Sequence, residues 1–129
     1  MVKKTSPAES ALAPSVQSPF DRVGLLHRLG GSTEVLAEVA ALFCSDARRL
    51  HRELRGHIER HDTRSAVTSA HQLKGALLNL SAEPAASTAR VLEASARAGD
   101  WAMALVHADQ LGAELEPLLA ALAREQTAA

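Results

Sequence analysis

One apolar series constrains the fold of this chain more than any other feature. From Val35 to Ile58, apolar side chains recur every three or four residues over about six helical turns. The members are Val35, Leu36, Val39, Leu42, Phe43, Ala47, Leu50, Leu54 and Ile58. This spacing places them on one stripe of an α-helix, and Ser32 just before them is a good N-cap. The series therefore predicts one long amphipathic helix whose stripe other helices must cover.

Three further segments show the same period and are predicted to be helices. They run from Asp62 or Thr63 to about Ser81, from Pro84 to Gly99, and from Asp100 onward. Pro84 suits the first turn of a helix, whereas Pro117 should kink or interrupt the last one. A shorter helix, Asp21 to about Leu29, ends at two glycines and is expected to cap one end of the assembly.

Composition indicates how these helices pack. Alanine supplies about a fifth of the chain, aromatic residues only 2%, and tyrosine is absent. Small side chains suit closely packed helices, whereas strands are rich in aromatic and β-branched residues. Short loops make consecutive helices antiparallel neighbours. We therefore expect an all-α fold, an antiparallel up-down-up-down four-helix bundle with a short extra N-terminal helix.

The chain is expected to form one domain with two short ends. Residues 1–19 are rich in Ser, Ala and Pro and lack a sustained apolar period, which indicates a flexible tail or linker. The bundle is assigned to residues 20–125, and residues 126–129 are expected to be a disordered C-terminus. With 129 residues, a second independent domain is not expected.

Charge, cysteine content and hydropathy exclude several classes of protein. With 14 basic and 15 acidic residues the formal charge is -1, so the strongly basic field typical of nucleic-acid binding is missing. Cys44 is the one cysteine, which excludes an intrachain disulfide and a cysteine-built zinc or iron–sulfur site. No apolar run suits a signal peptide or a membrane span, so we expect a cytoplasmic chain without membrane contact.

The second long helix carries an unusual group of residues around His71. On a helical projection, His71 lies opposite the apolar stripe and points outward. Val67 and Leu78 place apolar groups near it, and Gly75 removes a side chain one turn away, although glycine in a helix costs about 1 kcal/mol relative to alanine. An exposed apolar patch beside a reactive group is typical of a docking surface, and Gly75 would give access to it.

Lys74 indicates which chemistry the imidazole could perform. Apart from Lys3 and Lys4 near the N-terminus, the other Lys or Arg positions are all arginine. A neutral imidazole is a nucleophile near neutral pH, and a nearby ammonium group can offset the charge of a phosphoryl group on the ring. We therefore predict a phosphoryl acceptor at His71. An ordinary surface histidine with a lysine three residues further on is the alternative.

The segment Ala70–Gly75, with its His-x-Leu-Lys-Gly pattern, resembles the signature of histidine-containing phosphotransfer (HPt) domains of bacterial two-component phosphorelays. The similarity covers about residues 20–125 and includes Phe20-Asp21, Leu29-Gly30-Gly31, Leu42-Phe43, Asp46, Leu50, Leu54, Asn79-Leu80, Ala82, Leu92-Glu93 and Arg97-Ala98-Gly99-Asp100. The resemblance implies that His71 is phosphorylated, that Lys74 assists it electrostatically and that Gly75 gives access. The family commonly has small residues, often glycine, where this chain has Leu78 and Ser81.

The resemblance also implies a place for Glu93. In some members of the family a polar side chain on the next helix hydrogen-bonds the active imidazole, and Glu93 is the nearest candidate here. Its carboxylate would orient the ring and make it more basic. A solvent-exposed glutamate without such a role is the alternative.

The function that the resemblance implies is that of a phosphocarrier. His71 would accept a phosphoryl group from a receiver-domain aspartyl phosphate and pass it to another receiver aspartate. The sequence has no pattern of a nucleotide, kinase or metal site, so we expect no enzyme and no cofactor, with Mg²⁺ on the receiver partner. The expected partners are response-regulator receiver domains, including a hybrid sensor histidine kinase, and the chain itself is expected to be a monomer.

Two other functions stay open from the sequence alone. The bundle could regulate a partner by binding alone, without phosphate. It could also bind a metal ion, because His57 and His61 have a spacing that can place two imidazoles on one metal, although no third ligand is evident and no metal site is expected.

An arginine stripe on the first long helix has two interpretations. Arg48, Arg52 and Arg55 share one face and could steer an acidic partner. The alternative is a solvated face that pairs with Glu53 and Glu59 on the same helix.

Overall fold

The computed structural model describes residues 18–128 and contains five α-helices in that range. They are α1 Arg22–Arg28, α2 Thr33–Glu59, α3 Thr63–Asn79, α4 Glu83–Arg97 and α5 Trp101–Ala128. The described residues form no strand, so the predicted all-α class is confirmed. Over the same range, none of the helices has the length and apolar character needed to cross a membrane.

Helices α2 to α5 form the antiparallel bundle. Each packs against its neighbour in the chain, and α5 closes the ring against α2. Arg48 Nη2 lies 2.8 Å from Glu116 Oε1, and Arg55 Nε lies 3.0 Å from Asp109 Oδ1. Because the partner numbers fall along α5 as the arginine numbers rise along α2, these two helices are antiparallel. The expected four-helix bundle is confirmed.

The interior of the bundle consists almost entirely of leucine and alanine. The largest fully buried side chains are Leu25, Leu36, Leu54, Ile58, Leu73, Leu77, Leu80, Leu92, Leu111, Leu118 and Leu122. Burial of one such side chain contributes about 1.5–3 kcal/mol, whereas most isolated helices of this length are only marginally stable. The shared apolar core therefore holds the helices together, as the helical spacing of the sequence predicts.

The three turns between the bundle helices have the same backbone form. His61, Ser81 and Gly99 follow the ends of α2, α3 and α4 and have φ angles of 55°, 58° and 74°. In each turn the following amide donates back to the helix, as Asp62 N does to His57 O at 2.9 Å. This Schellman-type ending lets the next helix begin at once, because Asp62 is itself the N-cap of α3.

Helix α1 lies across the end of the bundle where α3 stops and α5 ends. The amide of Asp21 donates to Ser81 O at 2.9 Å, and Arg28 donates to the Ser81 hydroxyl. On the α5 side, Arg22 Nε lies 2.8 Å from Glu125 Oε2. The short helix thus caps the bundle end, as expected.

Some features differ from the expectations. Helix α5 continues through Pro117, so the expected interruption is wrong; buried leucines on both sides of the proline outweigh the one backbone hydrogen bond it removes. The helix is assigned as far as Ala128, and the expected disordered C-terminus, residues 126–129, stays a prediction. The predicted flexible tail, residues 1–19, lies outside the described residues except at its end.

The apolar series of α2 is also only partly buried. Leu42 is 68% exposed and Val35 37% exposed, whereas Leu36, Phe43 and Leu54 are buried. The neighbouring helices cover one face of α2, and residues at the edges of the stripe lie beyond that contact. An exposed leucine of this kind is available to a partner.

Candidate functional site

His71 lies on the outer side of α3. The buried residues of this helix are Ala66, Ala70, Leu73 and Leu77, and they direct its opposite side to solvent. The side chain of His71 keeps 67% of its surface exposed. This is the outward orientation that the helical spacing predicts.

The carboxylate of Glu93, on α4, lies next to the imidazole. Glu93 Oε1 is 3.4 Å from His71 Nδ1, and the Glu93 side chain is only 8% exposed. A solvent-exposed glutamate, which was the alternative left open by the sequence, is therefore wrong. The packing of α3 against α4 brings an exposed imidazole and a buried carboxylate together.

Two cations accompany Glu93. Lys74 Nζ lies 3.0 Å from Oε1, and Arg97 Nη2 lies 3.0 Å from Oε2. Burial raises the pKa of the Glu93 carboxyl, but the contacts with Lys74 and Arg97, and a smaller one with His71, outweigh it and hold the pKa below its ordinary value. The carboxylate is therefore ionised at neutral pH, and two cations against one anion leave surplus positive charge beside His71.

The oxygen between His71 and Lys74 still has acceptor capacity. Glu93 Oε1 is buried, yet no donor among residues 18–128 meets it with hydrogen-bond geometry. The contact with Lys74 is an ion pair rather than a directed hydrogen bond, since Coulomb attraction depends on distance more than on angle. A small rotation of the imidazole would let Nδ1–H donate to this oxygen.

Gly75, Val67 and Leu78 determine the space around His71. A Cβ placed on Gly75 would meet nothing within 4 Å, so packing within the chain does not require glycine there. Val67 and Leu78 are partly buried and pack against the core, which leaves only part of each side chain at the surface. The exposed apolar patch is therefore smaller than the sequence suggests, and the uncovered space beside it lies at Gly75.

A second apolar surface lies on the α2 side of α3. It is a groove lined by Val39, Leu42, Phe43 and Leu50 of α2 and by Ala76 of α3, with Leu80 at its end. Ala76 follows Gly75 directly in the chain, so the groove begins beside Gly75. The apolar series of α2 did not predict this surface, because its residues have the spacing of a fully buried stripe.

The other candidates from the sequence are engaged elsewhere. His57 Nδ1 lies 2.9 Å from Arg60 Nη2, and the ring of His61 stacks on Trp101 with 5.0 Å between centroids. Within residues 18–128, no three His, Cys, Asp or Glu side chains form a group that could hold a metal ion. The interpretation of the arginine stripe as a solvated face holds for Arg55, which pairs with Glu59 on its own helix. Arg48 pairs instead with Glu116 of α5, and Glu53 pairs with Arg49.

Arg97 belongs to the site through its contact with Glu93, although it was not among the residues predicted from the sequence. Its position four residues after Glu93 is the signal that could have identified it, because side chains at i and i+4 meet on a helix. The burial of Glu93 also had a signal. Ala86 and Ala89 precede it by seven and four residues, a spacing that places all three on one side of α4.

Comparison with protein-family models identifies the chain. The Hpt domain model matches residues 38–124, which is more than half of the chain and includes His71, Lys74, Glu93 and Arg97. No curated protein and no solved structure matches it. Hpt domains are phosphocarriers of phosphorelays rather than kinases, and they interact with response-regulator receiver domains. This chain, with a helical bundle and an exposed histidine in the matched region, belongs to the Hpt domain family.

Proposed function

We propose that His71 is the phosphorylated residue of a phosphorelay intermediate. It accepts a phosphoryl group from an aspartyl phosphate of one receiver domain and passes it to an aspartate of another. The observation that carries this proposal is the exposed imidazole beside the buried, ionised carboxylate of Glu93. Buried titratable groups with shifted pKa values cluster at functional sites.

Glu93 positions the imidazole for attack. Its carboxylate favours the tautomer with the proton on Nδ1, which leaves the Nε2 lone pair free. Nε2 attacks the phosphorus atom, an N–P bond forms, and the bond between phosphorus and the aspartate oxygen breaks, so that the aspartate leaves as a carboxylate. The proton stays on Nδ1 of His71, and Glu93 offsets the positive charge that the ring gains.

Lys74 and Arg97 supply positive charge for the transferred group. Both contact Glu93 in the unphosphorylated site. A phosphoryl group brings roughly one and a half to two negative charges near neutral pH, and the ammonium of Lys74 can turn from Oε1 toward it. In this proposal the chain contributes no metal, and Mg²⁺ comes with the receiver domain.

The receiver domain docks over His71 and covers apolar surface on both sides of it. Val67 and Leu78 expose part of their side chains on the α4 side, and the groove that contains Leu42 lies on the α2 side. Gly75 between them allows the rim of the receiver's active site to approach the imidazole. Leu42, 68% exposed, is the large apolar side chain most available for burial in this region.

The decisive experiment is phosphoryl transfer to His71→Gln. Purified receiver domains carrying radiolabelled aspartyl phosphate would be mixed with the wild-type chain and with the variant. We expect an acid-labile label on the wild-type protein and none on His71→Gln. Melting should be nearly unchanged, because substitution of an exposed side chain usually alters stability by no more than about 0.5 kcal/mol.

His27→Gln is the matched control, because His27 is also exposed but lies on α1. It should accept label like the wild type. Label retained on His71→Gln would place the acceptor elsewhere. A wild-type chain that binds receivers but never takes up label would instead support regulation by binding alone.

A further inference from the structure

A second groove, between α4 and α5, contains an acid without a partner. Glu114 Oε1 is buried, and no donor in the described part of the chain reaches it. The other oxygen, Oε2, accepts only a long hydrogen bond of 3.4 Å from Gln110 Nε2. Carboxylate oxygens shielded from water ordinarily accept short, charge-assisted hydrogen bonds. Glu114 thus lacks the donor that its surroundings require.

The groove beside Glu114 has a volume of about 320 Å³. Ser87, Thr88 and Val91 of α4 and His107, Gln110 and Glu114 of α5 line it. Hydroxyl, amide, imidazole and carboxylate groups can all accept hydrogen bonds there, and the lining contains no lysine or arginine. The groove therefore favours an occupant that donates hydrogen bonds and carries a positive charge.

The hydrogen bonds already present determine where such an occupant can attach. Gln110 Nε2 donates to Thr88 Oγ1 at 3.3 Å as well as to Glu114. Because its nitrogen is engaged twice, Gln110 has its amide oxygen available as an acceptor. The terminal torsion of Glu114 is soft, so its carboxylate can present one oxygen to the groove beside the amide oxygen of Gln110. Two acceptors one helical turn apart suit a planar, forked donor better than a single ammonium.

We propose that this groove binds the guanidinium group of an arginine side chain presented by a partner protein. Exposed apolar side chains beside these polar groups favour a protein side chain over a free cation. Val91 in the groove is 47% exposed, and Met103, one turn before His107, is 41% exposed. The aliphatic part of an arginine packs on groups of this kind while its charged end is hydrogen-bonded.

This site is separate from His71. The groove lies between α4 and α5, whereas His71 is on α3. The proposal therefore does not depend on phosphoryl transfer, and its test uses binding alone.

The test is an NMR titration of the isotopically labelled chain with Nα-acetylarginine amide. We expect saturable shifts of the Gln110 side-chain amide and of the Thr88 and Val91 signals. The neutral isostere Nα-acetylcitrulline amide should produce no saturable shift. Glu114→Gln should weaken binding of the arginine probe at least tenfold.

Glu116→Gln is the matched control, because it removes the same charge from the same helix but outside the groove, where Glu116 pairs with Arg48. It should bind the arginine probe like the wild type. Equal shifts with the citrulline probe, or unchanged binding by Glu114→Gln, would overturn the proposal. Tighter binding of agmatine, a free guanidinium compound, than of the capped arginine would overturn the assignment to a protein side chain. Gln110→Ala, which should also bind more weakly, provides a second test if Glu114→Gln does not fold.

Discussion

A carboxylate shielded from water stays ionised only where its neighbours favour the charge. Lys74 and Arg97 do this for Glu93, each from a distance of 3.0 Å. The same carboxylate contacts His71 Nδ1, so one buried residue connects the charge of the site to the orientation of its exposed imidazole. At the scale of single residues, Glu93 is therefore the position where one substitution affects both the stability of the fold and the surroundings of the imidazole.

Glu93→Gln should reduce stability, and the loss should depend on pH. The native pKa of Glu93 lies below its unfolded value of 4.5. Its stabilising contribution is therefore fully present above that value and is lost as the pH falls through the native pKa. At pH 7 we expect the variant to lose about 1–3 kcal/mol of the free energy of unfolding, because Lys74 loses its buried partner. Urea unfolding at pH 7 and pH 3 measures the difference.

The difference between wild type and Glu93→Gln should be smaller at pH 3 than at pH 7, because the charge of Glu93 contributes less to stability once the pH is below the pKa of the unfolded chain. Glu53→Gln is the control, since Glu53 forms an exposed ion pair with Arg49 and such pairs contribute at most about 1 kcal/mol. An equal loss at both pH values would show that Glu93 acts through packing rather than through its charge.

Gly75→Ala should stabilise the chain and slow phosphoryl transfer. Alanine is favoured over glycine in a helix by about 1 kcal/mol, and a Cβ at this position meets nothing within 4 Å. The added methyl group would stand beside His71, where the receiver must approach. Thermal melting and single-turnover transfer rates measure the two effects.

Gly56→Ala on α2 is the matched control for helix propensity. Its Cβ would lie 3.2 Å from Nη1 at the flexible end of Arg60, so most of the gain should remain, and transfer should be unaffected. A normal transfer rate for Gly75→Ala would remove the access role from Gly75.

At the scale of elements, the turns between the bundle helices contain residues with positive φ angles, a conformation that most side chains disfavour. His61 and Ser81 have positive φ angles although neither is glycine, at a cost of about 1–2 kcal/mol each. Their side chains have partners that offset this cost: His61 stacks on Trp101, and Ser81 accepts a hydrogen bond from Arg28. The difference from the family at Ser81 is thus accommodated by contact with α1.

Pro117→Ala should stabilise α5. Proline at this exposed position lacks the amide that would donate to the carbonyl four residues earlier, yet the helix continues on both sides of it. We expect a gain of about 1–3 kcal/mol in the free energy of unfolding, measured by urea denaturation. No gain would mean that the last part of α5 contributes little to the folded state.

At the scale of the whole molecule, the side of α2 that pairs with α5 differs from the side that carries exposed apolar groups. Helices α2 and α5 are joined at the surface by ion pairs of Arg48 and Arg55, which contribute little individually. The opposite side of α2 faces α3, and exposed apolar groups remain in the groove between these two helices. Receiver docking is therefore expected to depend on both α2 and α3.

Leu42→Ala and Leu78→Ala should both weaken receiver binding. Burial of a leucine contributes roughly 1.5–3 kcal/mol, so each variant should raise the receiver Kd about tenfold, measured by titration calorimetry. Leu42→Ala should leave melting nearly unchanged because its side chain is exposed, whereas Leu78→Ala should also lower it. Val106→Ala on α5, 54% exposed, is the control and should bind normally. Normal binding by both leucine variants would move the docking surface elsewhere.

The sequence by itself determined the fold and the outward position of His71. Helical periodicity is a local property, so the spacing of apolar residues around Leu73 and Leu77 was enough to place His71 on the outside of α3. Helix caps are local as well, and Asp62 and Asp100 begin their helices as the sequence predicts.

Only the tertiary structure decided what surrounds His71. The burial of Glu93 depends on how closely α4 packs against α3. The exposure of Leu42 depends on how much of α2 its neighbouring helices cover. The period of α4 indicates which side of the helix carries Glu93, but the period of a single helix encodes neither the depth of Glu93 nor the exposure of Leu42. The unpaired oxygen of Glu114 likewise becomes visible only when α4 and α5 lie side by side. Contacts between helices depend on every residue that packs between them, and for that reason the sequence could name Glu93 as a candidate but could not place it.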